Sequence, residues 1–352
     1  NFTHSVNTTQ VISARVVSPG VACYTIVNVT LEVLDSPQPV LPQDLDALEA
    51  CDTNNSGNAV FDLTQMEAAI LANETNPSDF SLAYYESQAD ADAQTNPITV
   101  EQAYTSAGMN QTIYVVVTGN NGCTAQTQFE LVVNPLPVIT PPSALELCDY
   151  NNPGDEQEAF DLTQATLEIT GGDSSMQVTY YASQNDADTG SNPLSSPYTN
   201  TVNNETIYVR VEDQDTGCFV SQGFSLTLVV NPLPSPQVPV TPLEVCDVDN
   251  DGFAEFDLDA QTPTIENGEL NVAISYHITQ SNGEYGVNPI DTTQPYGLSS
   301  ANTQTLYVRA ENTQTGCYVV EVLQLEVVGT PEIGFLEDLY VCDDDYNGFA
   351  VF

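Results

Sequence analysis

Leu243-Glu244-Val245-Cys246-Asp247-Val248-Asp249-Asn250-Asp251-Gly252-Phe253-Ala254-Glu255-Phe256 decides how this chain is read, because its skeleton is written four times. A cysteine and an aspartate lead into a polar turn with a glycine, and a phenylalanine closes the phrase. The other copies are Cys51-Asp52 with Gly57 and Phe61, Cys148-Asp149 with Gly154 and Phe160, and Cys342-Asp343 with Gly348 and Phe352. Successive leading cysteines stand 97, 98 and 96 residues apart. A fixed period of that length specifies an array of small domains. Three whole units follow, residues 37–134, 135–231 and 232–330. Residues 1–36 read as the C-terminal part of a truncated repeat and 331–352 as the N-terminal part of another, as in a window on a longer chain.

Outward from the phrase, each unit reads as short strands. In the third, Leu243–Cys246, Phe253–Leu258, Asn271–Tyr276, Thr305–Ala310 and Tyr318–Val328 are apolar or alternate in polarity, with a turn at Thr315-Gly316. Ile113/Val115/Val117, Ile207/Val209/Val211 and Leu306/Val308/Ala310 form one face of the penultimate strand, and Tyr114, Tyr208 and Tyr307 lie on the other. No long stretch keeps a helical period, although 65–72 and 164–169 have room for a helical turn. The expected class is all-β: tandem immunoglobulin-like antiparallel β-sandwich repeats of about 97 residues. Asn134-Pro135-Leu136-Pro137, Asn231-Pro232-Leu233-Pro234 and Gly329-Thr330-Pro331 join them, and such proline-rich linkers favour a semi-rigid, end-to-end string.

Eight cysteines at regular places point to disulfides and an oxidising compartment. Two pairings compete. One lies within copies, Cys51–Cys123, Cys148–Cys218 and Cys246–Cys317. The other joins each late cysteine to the next copy's early one, Cys23–Cys51, Cys123–Cys148, Cys218–Cys246 and Cys317–Cys342. The late cysteine precedes the last strand, which carries the chain roughly 35 Å away before the linker. A disulfide needs Cα atoms within about 7 Å. On the premise that the first strand starts beside the turn before the last, one bridge within each copy is expected.

The charge is −46, from 49 acidic residues against Arg15, Arg210 and Arg309 and no lysine. That balance disfavours nucleic acid and anionic membranes as partners and favours divalent cations. Asp247, Asp249 and Asp251 place oxygens at alternate positions before a glycine, a pattern suited to calcium, with Glu255 or Asp257 completing the shell. The fourth copy keeps Asp343, Asp345 and Asn347. Weaker sets are Asp52, Asn54 and Ser56 in the first copy and Asp149 and Asn151 in the second. The competing role for the same residues is an Asx turn. The recurrent Tyr85-Glu86-Ser87-Gln88 to Asp92, with Asn96-Pro97, and Tyr181-Ala182-Ser183-Gln184 to Asp188, with Asn192-Pro193, read as a structural turn or a contact loop. No hydrolase elbow, zinc-protease or phosphate-loop motif occurs, and His4 and His277 have no counterparts in other copies, so no enzyme is expected.

The compound pattern Leu-x-x-Cys-Asp, Phe-Asp-Leu, Tyr-Tyr-x-Ser, Ile-Tyr-Val-Arg-Val-Glu, Thr-Gly-Cys and Val-Val-Asn-Pro-Leu-Pro resembles repeats of giant cell-surface adhesins of gliding Bacteroidota, which look like type IX secretion substrates. The resemblance spans nearly all of 37–352. It implies an extracellular, cell-surface stalk or filament segment for adhesion, with gliding motility as a setting. Its partners would be extracellular surfaces, glycans and neighbouring repeats, with no nucleic acid and no membrane insertion in this segment. Calcium-dependent lectin-like modules are the alternative, and the spacer of a secreted hydrolase a distant one.

Overall fold

The computed structural model describes residues 9–20, 22–331, 334, 337–342 and 347–349. In the first repeat the strands Leu48–Cys51, Thr124–Asn134, Asn110–Gly119 and Phe80–Tyr85 lie side by side, in that order, as one four-stranded sheet. Val60–Phe61 and Tyr104–Thr105 form a second, two-stranded sheet. Alternation sends Ile113, Val115, Val117, Phe129, Leu131 and Val133 inward, where they meet Phe61 and Tyr104 from the small sheet and Leu63, Met66 and Ile70 from a helical turn. Each fully buried aliphatic side chain contributes roughly 1.5–3 kcal/mol. The third repeat builds the same core from Leu306, Val308, Leu323, Leu325, Phe256 and Ile265. The chain is all-β in tandem repeats, with strand bounds close to those read from the alternation.

The helical turns fall where the sequence left room for them, at Leu63–Met66 and Glu67–Ile70, and at Leu162–Ala165 and Thr166–Thr170. The Tyr-x-Ser-Gln segment is a short capped helix, Gln88–Ala93. Ser87 accepts from the Asp90 amide, and its hydroxyl donates to the Asp90 carboxylate. Asn96, of Asn96-Pro97, donates to the other carboxylate oxygen. These side-chain bonds, Ser87 first and then Asn96, hold Asp90 below its usual pKa. Ala91, on the helix's inner side, packs with Tyr85, Val116 and the half-buried Tyr114. The segment is therefore a structural element of each repeat.

One feature departs from the expected antiparallel sandwich. The first strand runs parallel to the last, with Leu48 opposite Leu131 and Cys51 opposite Asn134. The same holds for Leu145–Cys148 with Leu228–Asn231, and for Leu243–Asp247 with Leu325–Gly329. Before the first repeat, Thr9–Val17 and Tyr24–Glu32 form an antiparallel hairpin in the register of the last two strands of the third repeat, Val17 facing Tyr24 as Glu311 faces Tyr318.

The chain divides into two compact units, residues 1–142, 163–194 and 207–225 in one, and 143–162, 195–206 and 226–352 in the other. Strands of the second repeat are shared between them. Among the described residues no helix is long and apolar enough to cross a membrane.

Candidate functional site

The parallel first strand overturns the expected disulfides. It places Cys51 at the end of its strand, level with Asn134, while Cys123 precedes the start of the eleven-residue strand Thr124–Asn134. The two cysteines of one copy are thus roughly 35 Å apart, far beyond bridging distance. Cys51 is joined instead to Cys218, and Cys148 to Cys317, each with Cα atoms 5.6 Å apart. The early cysteine of one repeat bonds the late cysteine of the next. The within-copy pairs Cys51–Cys123, Cys148–Cys218 and Cys246–Cys317 are not formed, and neither are the late-to-early pairs. Cys23, Cys123, Cys246 and Cys342 carry no bridge among the described residues. Each bridge lies wholly within one compact unit.

Local chemistry presents both partners. The late cysteine ends a turn that its own side chains close. Asp213 accepts from the amides of Asp215 and Thr216, the Thr216 hydroxyl accepts from the Cys218 amide, and Gly217 has φ +71°. Asn312, Thr315 and Gly316 repeat the arrangement before Cys317. Glycine takes such a φ without the strain that a Cβ brings, which explains the Thr-Gly-Cys phrase. On the other side, the Asn134 carbonyl accepts from the Asp52 amide and its side chain donates to Glu49. Asn231 does the same with Asp149 and Glu146. Cys218 and Cys317 sulfurs lie 4.0 Å from the Asn134 and Asn231 carbonyl oxygens, so the asparagine of each Asn-Pro-Leu-Pro linker is built into the junction.

Arg210 and Arg309 are junction parts as well, and Arg15 repeats their placement beside the unbridged Cys23, a role that sequence reading missed. Each guanidinium lies over the aromatic ring that follows a late cysteine: Arg15 over Tyr24 at 4.1 Å, Arg210 over Phe219 at 3.2 Å, Arg309 over Tyr318 at 3.5 Å. Arg309 also donates to the carbonyls of Gly283 and Glu284 and pairs with Glu311. Arg210 donates to Ala187 and Asp188 and pairs with Glu212. The signal was available: Arg at two residues before the turn, always with an aromatic after the cysteine.

At the second bridge, Tyr150 crosses from one repeat to the next. Its ring meets that of Tyr318 edge-on, centroids 5.9 Å apart, and its hydroxyl accepts from the Tyr318 amide at 3.3 Å. At the first bridge the equivalent position is Thr53, and a cleft of about 520 Å³ opens beside Cys51, lined by Thr53, Leu136, Phe219, Val220 and Gln222.

The Cys-Asp loops, where calcium is expected, are closed by their own leading aspartates. Asp247, Asp249 and Asp251 bring one oxygen each within 4.8 Å of one another, and no other such acidic, histidine or cysteine group occurs among the described residues. Glu255 lies outside that group, in the strand Glu255–Phe256, and Asp257 caps the following turn by accepting from the Ala260 amide. Asp247 itself accepts from the amides of Asp251 and Gly252. Burial raises its pKa, but these loop amides outweigh burial and leave it below the usual range. In the first copy Asp52 accepts from Ser56 and Gly57, and Asn54 also turns to the Ser56 amide. In the second, Asp149 accepts from Gly154, and Asn151 is held by Glu158. These are Asx turns that close the loop on itself. Asn347 is described and exposed, whereas Asp343, Asp345 and His4 lie outside the described residues.

The chain is similar, at low overlap, to several solved strings of domains. The immunoglobulin domains 1–4 of Sidekick-1 share 9% identity, covering 87% of this chain and 82% of that one, with a TM-score of 0.22. Drosophila N-cadherin EC1-3 shares 14%, covering 81% and 99%, at 0.20. The sialic acid binding region of a Streptococcus sanguinis SK1 adhesin, bound to 3'sLn, shares 11%, covering 84% and 78%, at 0.23. Among curated proteins none matches. The staggered bridges agree with a family model that the chain matches three times over, at residues 46–137, 144–234 and 242–331: it belongs to the Flavobacterium inter-domain disulphide bond domain family.

Proposed function

We propose that this chain is a load-bearing segment of an extracellular adhesion protein, in which disulfides make consecutive repeats covalently redundant. The observation that carries the reading is the stagger. The Cys51–Cys218 loop, of sequence separation 167, contains Cys148, and the Cys148–Cys317 loop, of separation 169, contains Cys218. The two covalent loops therefore overlap. Tension applied beyond Cys51 and Cys317 reaches both bridges after the polypeptide from Cys148 to Cys218 is drawn out, and the two proline linkers never become taut. Each linker is bypassed by a covalent bond that survives its cleavage.

Such bridges belong to an oxidising compartment outside the cytoplasm. The strong negative charge keeps neighbouring chains apart in solution and disfavours nucleic acid. The resemblance to adhesin repeats of gliding Bacteroidota supports a cell-surface stalk exported by the type IX route, with adhesion or gliding as its task. The acidic triad Asp247, Asp249 and Asp251 supports calcium at the third repeat. The lectin-like alternative predicts selective glycan binding by the isolated chain.

Force spectroscopy on the chain held at both ends tests the proposal. Oxidised chain should release less contour length on complete unfolding than reduced chain, because the overlapping loops stay closed. Equal lengths in the two states overturn the load path. A glycan array on the same protein should be silent, and selective binding would move the assignment to the lectin-like reading.

A further inference from the structure

We infer that the cleft beside the Cys51–Cys218 bridge is a receptor site for a tyrosine side chain presented by another polypeptide, a role that does not depend on the load-bearing one. The chain itself supplies the template. At the Cys148–Cys317 bridge, Tyr150 lies against Tyr318, with an edge-on ring contact of 5.9 Å and a hydroxyl that accepts from the Tyr318 amide. Two residues after Cys51, where Tyr150 follows Cys148, stands Thr53, too short to span the same space. Phe219 holds the place of Tyr318, directly after the late cysteine, and like it carries an arginine over its ring. The aromatic platform is thus kept while the resident ring is missing, and the space of about 520 Å³ is open.

A second difference shapes the wall. In the second repeat the last strand is broken into Phe219–Val220 and Ser225–Asn231, where the third repeat runs unbroken from Tyr318 to Gly329. The chain bulging out between the two pieces brings Ser221 and Gln222 to the cleft. It is pinned from behind: the Ser221 hydroxyl and the Gln222 amide donate to Asp188, and Gln184 donates to the Ser221 carbonyl. The bulge is a fixed wall, its hydrogen-bonding groups turned to Asp188 and Gln184, beside an apolar floor of Leu136, Phe219 and Val220. An aromatic ring matches that floor, and the Phe219 amide is the counterpart of the Tyr318 amide that donates to the Tyr150 hydroxyl; aromatic side chains with one apolar and one wet end are used in this way at protein interfaces.

The test is a titration of N-acetyl-tyrosinamide into the oxidised 352-residue chain, followed by amide chemical shifts. Saturable shifts should appear at Phe219, Val220 and Gln222. Thr53→Tyr, which installs the resident ring, should abolish them, and Tyr150→Thr, which opens the second junction, should add a second set at Tyr318 and Val319. N-acetyl-leucinamide should give neither. Absence of saturable shifts in the parent chain, shifts that survive Thr53→Tyr in a protein with parental dispersion, or equal response to the leucine probe overturns the inference.

Discussion

Cys51 sits level with Asn134, the last residue of its own repeat's final strand, in a parallel register that also holds Cys148 to Asn231. Because Asn134 begins the linker, Cys51 faces the next repeat and is turned away from Cys123. The whole disulfide pattern follows from that one neighbour.

Peptide mapping of the unreduced chain should recover Cys51 with Cys218 and Cys148 with Cys317, and no peptide joining Cys51 to Cys123. Replacing both Cys51 and Cys218 by serine should leave the β content of each repeat intact: Cys218 is fully buried, but the first- and third-repeat cores contain neither residue. The loop is long, so the chain-entropy model sets the stabilisation lost at up to about 5 kcal/mol. Denaturant unfolding followed by circular dichroism measures it.

Tyr84 is fully buried and its hydroxyl has no partner among the described residues, whereas Tyr276 shares a hydrogen bond with Thr262 and donates to the Leu258 carbonyl. The first repeat has Glu67 where the third has Thr262. Burial, with the charges of Glu67 and Glu101, pushes the Tyr84 hydroxyl's pKa up. Tyr84→Phe should therefore be neutral or stabilising, and Tyr276→Phe should cost about 1 kcal/mol. Glu67→Thr should stabilise the first repeat by about 1 kcal/mol, read from the shift of the denaturation midpoint.

His277 is buried, its Nδ1–H donating to the Val287 carbonyl and its Nε2 accepting from the Ser275 hydroxyl. Burial, against the opposing Val287 bond, holds its pKa below the ordinary 6.5. The unfolded chain then binds more protons than the folded one below about pH 6.5, so this residue's contribution is complete above that pH and declines as pH falls. His277→Tyr, the residue at that place in the other two repeats, should flatten the fall in third-repeat stability between pH 7 and 5. Melting curves across that range compare the two proteins.

Calcium is expected to raise the melting temperature by binding the native loop at Asp247, Asp249 and Asp251. Chelation should reverse the rise, and Asp249→Asn should weaken it without lowering the metal-free melting temperature, because Asp249 is exposed and the loop is closed by Asp247. A melting curve indifferent to calcium assigns the loop to its Asx-turn role alone.

The period, the all-β class, the strand positions and the inward alternation at Ile113, Val115 and Val117 were legible in the sequence, because each depends on residues close together in the chain. So was the pinning of Thr-Gly-Cys turns, in principle, since Asp213 and Thr216 act on Cys218 from a few residues away. The direction of Leu48–Cys51 was not: a four-residue strand has the same alternation whether it pairs parallel or antiparallel. That direction decides on which side of its repeat Cys51 emerges, and so which of the other cysteines comes within bonding distance. The clustering of Asp247 with Asp249 and Asp251, the diversion of Asp257 into a helical cap, and the vacancy opposite Phe219 were likewise decided only when distant segments met. Covalent and local chemistry wrote the parts, and the long-range pairing of first strand with last chose what they bond.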